Sequence, residues 1–348
     1  MYKPVYKLTN KLVTDLIKLE LEKNNIENIE TNTRIKNKLH KSSKALSIFH
    51  LAHMIGVSLT LKDAEKAADG KKLDTQDMRG IVLNNYRNAL EYIRSNVASS
   101  YAEIDLNMLI HMNRLLLTGW KEEWEAKLRT DGSNFDETLD NFGSVVDTNF
   151  NTTYLQDEVL QALDWFKSSY LHVPDLVRIF ALTYKLLRLA PFTYLNKLTI
   201  LTITDFLLFK NGYVDKAHMS IIRNFDIYEQ EYLEAFSYAT ENNDDITLWM
   251  ERLVNNLIND FKDITDNVHK QIADDEKANK QPFLDLNKRQ LKILRYLQTI
   301  PTVKREDYVQ MMDVSTMTAF RDLSELVDKK LIRVDGKGRA TKYMLYNR

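Results

Sequence analysis

Nine glycines and five prolines are spread over 348 residues. A chain with so few backbone breakers is expected to form long helices, not a β-sandwich. The apolar residues agree. Over residues 8–24 they recur at helical spacing (Leu12, Leu16, Ile17, Leu19, Leu21), and residues 33–58 repeat the pattern from Ile35 to Ile55. Thr60 is a predicted N-cap for a helix Leu61–Ala68 that Gly70 ends. Further helices are predicted from Asp74 to about Val97 and over 104–119, then over Gln156–Ser168, Asp175–Leu189, Lys197–Phe209, Phe225–Ala239 and Ile246–Ile272. Pro191 must interrupt helix, and Asp245 is placed to cap the last of these. Residues 129–153 are polar and lack a sustained period, the mark of a functional or disordered loop in a compact domain.

The absence of cysteine excludes disulfides, cysteine-ligated zinc, iron–sulfur clusters and thiolate catalysis. No basic-then-apolar leader opens the chain and no apolar run approaches the length of a membrane span, so a cytoplasmic protein without membrane contact is expected. Net charge is −1 but uneven. From Asn287 to Arg348 there are 14 Lys and Arg against 7 Asp and Glu, a net +7 that leaves −8 for the rest. One module is therefore suited to a polyanion.

Residues Leu189-Ala190-Pro191-Phe192-Thr193-Tyr194-Leu195-Asn196-Lys197-Leu198 join two predicted helices. They resemble the signature of the Fic family, His-Pro-Phe-x-(Asp/Glu)-Gly-Asn-Gly-Arg with a second Arg three positions later. Pro191, Phe192 and Asn196 match. The His position is Ala190, the acidic position Tyr194, the Gly positions Leu195 and Lys197, and the Arg positions Leu198 and Leu201. The likeness extends over most of residues 1–272. Arg129–Phe150 stands where the family keeps its flap, Asp245–Trp249 resembles its closing helix, and Met54–Thr60 resembles its inhibitory stretch, with Ile55 at the inhibitory Glu.

The resemblance implies a mainly α fold: a Fic-like helical bundle with a small β-hairpin flap, divided as residues 1–100 and 101–272. It also implies that active members transfer a nucleotide with the His as base, the acid on Mg²⁺ and the arginines on phosphates. Ala190 accepts no proton, Tyr194 is no hard metal ligand, and Leu198 and Leu201 donate nothing. No catalytic residue, cofactor or metal is therefore expected. Leu198, Ile200, Leu201 and Ile203 suggest a filled nucleotide cleft. Lys197 has two readings, a phosphate contact or a solvated lysine at a helix start, and the second is favoured. Asn196 is read as an anion ligand or an N-cap.

Residues 273–286 read as a polar linker, and 287–348 as a winged helix-turn-helix. Helices are predicted over Lys288–Gln298, Val303–Met312 and Thr316–Lys329. Strands Leu331–Val334 and Lys342–Leu345 flank a turn around Asp335-Gly336, a strong hairpin signal. Val314–Leu323 resembles the recognition stretch of winged helices appended to Fic proteins. Ser315, Thr316, Phe320 and Arg321 would meet bases or phosphates, with Lys337, Arg339 and Lys342 on the wing. A protein-docking role is the alternative, with Arg321 paired to Glu325.

Other signals are weaker. His50 and His53 have metal-ligand spacing on a helix but read as structural. Trp120 and Trp124 read as a packing corner, and Glu65, Asp69, Asp74 and Asp77 as a solvated rim. The expectation is a DNA-binding regulator with a catalytically degenerate Fic-like body, acting as a homodimer, with a protein partner left open. A divergent adenylyltransferase and a non-catalytic scaffold are the alternatives.

Overall fold

The computed structural model describes residues 2–73, 77–97, 103–130, 152–213, 220–284, 286–336, 338 and 341–346. The chain divides into two compact units, Met1–Val268 and His269–Arg348. The first contains α1 (Asn10–Asn28), α2 (Thr33–Met54), α3 (Leu61–Ala68), α4 (Met78–Val97), α5 (Leu106–Leu117), α6 (Leu155–Ser168), α7 (Asp175–Leu189), α8 (Asn196–Lys210), α9 (Ile221–Ile227), α10 (Glu229–Glu241) and most of α11 (Thr247–Leu284). Several helices start where a side-chain oxygen accepts an early backbone N–H: Thr9 from Leu12, Asn32 from Ile35, Thr60 from Asp63 and Asp105 from Met108.

α8 is the axis of this unit. Thirteen of its fifteen residues are buried, as expected of a helix apolar on every side. Two of its threonines are satisfied locally, with Thr202 and Thr204 donating to the carbonyls four residues back. Thr183 of α7 meets Thr204 at 2.8 Å in the core. Trp249 of α11 is fully buried among Tyr184, Phe225, Tyr232 and Phe236, and its indole N–H donates to the Phe180 carbonyl. That clasp ties α11 to α7.

Two helices differ from expectation. The segment read as Phe225–Ala239 is two helices broken at Tyr228, the first capped by Ser220. α11 runs on to Leu284 through the segment read as a polar linker. Polarity there is not the absence of helix, because Ala, Glu, Lys and Gln are strong helix formers. Pro282 stands in the final turn. The expected β-hairpin flap lies, beyond Thr130, outside the described residues, as does Asp74.

The second unit has its own core. α12 (Lys288–Thr299), α13 (Arg305–Met312) and α14 (Thr316–Asp328) bury Ile293, Leu297, Tyr308, Ala319, Leu323 and Leu326. β1 (Ile332–Asp335) and β2 (Lys342–Leu345) pair antiparallel, Ile332 opposite Leu345. α14 ends in a Schellman turn. Lys330 sits at φ 55°, and the Leu331 and Lys330 amides return to the carbonyls of Leu326 and Val327. Among the described residues no helix is long and apolar enough to cross a membrane.

Candidate functional site

The α7–α8 loop is bracketed by two left-handed residues that are not glycine, Ala190 (φ 40°) and Leu195 (φ 55°). Each costs about 1–2 kcal/mol and persists only where its surroundings fix it. They do so here. The Asn196 carboxamide embraces Phe192, accepting from its N–H at 2.7 Å and donating to its carbonyl at 2.6 Å. Asn196 is therefore a staple across the loop, and the N-cap position belongs to Leu195. Asn113 donates to the Tyr194 carbonyl and to Thr199.

Arg129 completes the brace. It is buried, and its guanidinium donates to the carbonyls of Ala190 (2.8 Å) and Leu189 (3.1 Å), where the end of α7 concentrates negative charge. Its own amide donates to Pro191, beside an antiparallel bridge between Leu128 and Phe192. From sequence Arg129 marked only the start of a polar segment; no local signal assigns it this role.

Lys197 is not solvated. It is 4% exposed, and its ammonium lies 2.8 Å from Glu229 Oε1. Leu198, Ile200, Leu201 and Ile203 are buried in the main core. Tyr194 stands edge-on to Trp120 at 5.7 Å, and the Lys121 ammonium lies 4.0 Å from the Tyr194 ring centre. Trp120 packs as anticipated, but Trp124 is 68% exposed beneath Lys127 and forms no packing corner. A tryptophan pair in sequence does not reveal which ring a neighbouring helix covers.

Just before the Ile55 position, His50 and His53 both direct Nδ1 at the Asp226 carboxylate, each at 2.7 Å. This joins α2 to α9. The Asp226 hydrogen bond raises the His53 pKa; burial would raise that of Asp226, but the two imidazoles hold it below its usual value. Among the described residues no group of three or more His, Asp or Glu is arranged to hold a metal ion.

In the second unit, Ser315 caps α14 through the Thr318 amide. Thr316, Met317, Phe320 and Arg321 follow on one exposed face. Glu325 holds Lys329 and Gln290, in place of the Arg321–Glu325 pair named under the protein-docking alternative. Two residues were missed from sequence. Met317 is 73% exposed at the centre of this face, and the Arg305 guanidinium stacks 5.4 Å above Phe320. Lys342 is exposed opposite Asp335 across the hairpin; Lys337 and Arg339 lie outside the described residues.

Residues 289–340 match the family model of the DeoR-like helix-turn-helix domain. Solved structures match about three quarters of the chain or all of it. A Fic family protein from Desulfovibrio desulfuricans superposes with a TM-score of 0.62 at 15% identity, covering 100% of this chain and 99% of that one. Fic-1 from C. elegans gives 0.57 at 16%, covering 73% of this chain and 71% of that one. A Fic domain containing signaling protein from Bacteroides thetaiotaomicron gives 0.57 at 13%, covering 74% and 98%. The chain has the Fic fold. No curated protein matches it in sequence.

On that Fic fold the positions of the sequence signature acquire a place. Ala190 is the left-handed end of α7, with its carbonyl held by Arg129. Leu198 and Leu201 are core leucines of α8, and Ile55 is buried at the end of α2. At the head of α8 stands the ion pair Lys197–Glu229, between elements of the same body.

Proposed function

We propose that this protein is a DNA-binding transcriptional regulator whose Fic-like body no longer transfers nucleotides. The observation that carries the reading is the face of α14. Thr316, Met317, Phe320 and Arg321 stand exposed on a helix whose N-terminus, in a helix-turn-helix, enters the major groove. The surrounding module is net +7, which favours phosphate contact with a steep salt dependence. Ser315 acts through its cap, setting the angle of the helix, and Lys342, Lys337 and Arg339 supply the wing. Helix-turn-helix proteins commonly read inverted repeats as two-fold dimers, so a homodimer in the cytoplasm is the working form. Supporting the loss of catalysis, Ala190, Tyr194, Leu198 and Leu201 lack the imidazole, carboxylate and guanidinium groups that the transfer reaction uses.

Selection of bound DNA from a random pool, followed by anisotropy titration, tests the reading. A specific sequence is expected, and Arg321→Ala should weaken it by about 5- to 100-fold. Equal binding by parent and variant would overturn the assignment. Incubation with radiolabelled ATP and Mg²⁺ is expected to label neither this protein nor others in a lysate; transfer that survives purification would restore the enzyme.

A further inference from the structure

A cleft in the Fic-like body lies away from the α7–α8 loop. It has two adjoining lobes, of about 480 and 430 Å³, that share His40, Arg94 and Phe209. The second lobe also reaches Asp205. Asp205 and Phe209 lie nine and thirteen residues beyond Asn196 on α8, so about 14 and 20 Å along its axis. The cleft and the loop thus occupy opposite ends of one helix.

Its walls are polar in an ordered way. Arg94 donates to His40 Nδ1. A guanidinium can only donate, so Nδ1 can accept from it only in the neutral imidazole. Burial, then the Arg94 charge, hold the His40 pKa down. Lys44 is largely buried and pairs with Glu91, whose own side chain is 63% exposed. Across both lobes the lining carries three permanent cations, Lys36, Lys44 and Arg94, and two carboxyl groups, Glu91 and the deeper Asp205. Deeper in, Asp205 is 4% exposed and accepts from the Ile221 amide at 2.6 Å and the Ser220 hydroxyl at 3.2 Å. Burial pushes its pKa up to about 7. Ser47, also buried, lines the same lobe. Hydroxyls, and a carboxyl whose neutral form burial favours, can both donate and accept, and the volume falls in the range of small-molecule sites.

We propose that this cleft binds a small hydroxylated organic anion, a carboxylate or phosphate ester, with its charged end against Arg94 and Lys44 and its hydroxyls on Ser47, Ser220 and Asp205. The site goes beyond the DNA-binding reading and stands without it, since its occupancy is measured with no DNA present.

Calorimetric titration of the full-length protein with gluconate, sorbitol 6-phosphate and neutral sorbitol tests the site. At least one of the two anions is expected to bind with a Kd below about 1 mM, and sorbitol not to bind. Which anion binds separates carboxylate from phosphate recognition. Arg94→Gln should weaken binding at least tenfold. Lys44→Gln, at the edge of the cleft, gives a second variant if the first fails to fold by circular dichroism. Absence of binding by both anions, equal binding of sorbitol, or unchanged affinity in a folded variant would overturn the proposal. A failure of DNA binding would leave these results as they are.

Discussion

Lys197 shows what a single residue hides. A lysine at a helix start reads as solvated, and nothing nearby in sequence says otherwise. Its partner Glu229 is 32 residues away, brought close by the turn between α9 and α10. A buried ammonium deprived of its counter-charge is strongly destabilising, whereas a hydrophobic replacement of both partners is often neutral. Glu229→Ala is therefore expected to lower the unfolding free energy by roughly 2–4 kcal/mol in urea titrations, and adding Lys197→Met should recover part of the loss. If the single variant is no less stable than the double, the pair is not holding the head of α8.

At the scale of elements, the three-helix arrangement depends on one carboxylate. Asp322 of α14 accepts from the Arg289 guanidinium (2.8 Å), Asn287 (2.9 Å) and the Tyr308 hydroxyl (2.9 Å), joining α12 and α13 to the recognition helix. Burial would raise its pKa, but these donors outweigh burial and hold it below the usual carboxylate range. A carboxylate depressed in the folded state adds stability at pH values above its unfolded pKa of about 4, and that stability is lost as pH falls through the lower folded value. Asp322→Asn should cost the module about 2–4 kcal/mol at pH 7 and flatten its acid unfolding. An unchanged acid midpoint in the variant would remove Asp322 from that role. The sequence made α14 visible through its apolar spacing, and the Asp322 position through likeness to other winged helices. The reason for an aspartate there came only with α12 in place.

At the scale of the molecule, two hydrophobic cores are separate, one running from Leu12 to Phe261 and one from Leu286 to Tyr343. A unit with its own core folds on its own. Residues 286–348, expressed alone, are expected to unfold in one cooperative thermal transition with helical circular dichroism; a non-cooperative melt would show that the module depends on the rest of the chain.

The amino-acid sequence alone determined the helical class, the break at Pro191, the winged module and the residues missing from the signature loop. Each rests on local periodicity, turn chemistry or side-chain identity, and those forces act over a few residues. Tertiary structure decided the rest: Arg129 on the end of α7, the His50–Asp226–His53 clasp, the burial of Lys197, the stacking of Arg305 on Phe320, and the cleft around Arg94. These join groups 15 to 176 residues apart. Charges and donors find such partners only when packing of the apolar core sets the helices side by side, and no spacing along the chain encodes that distance.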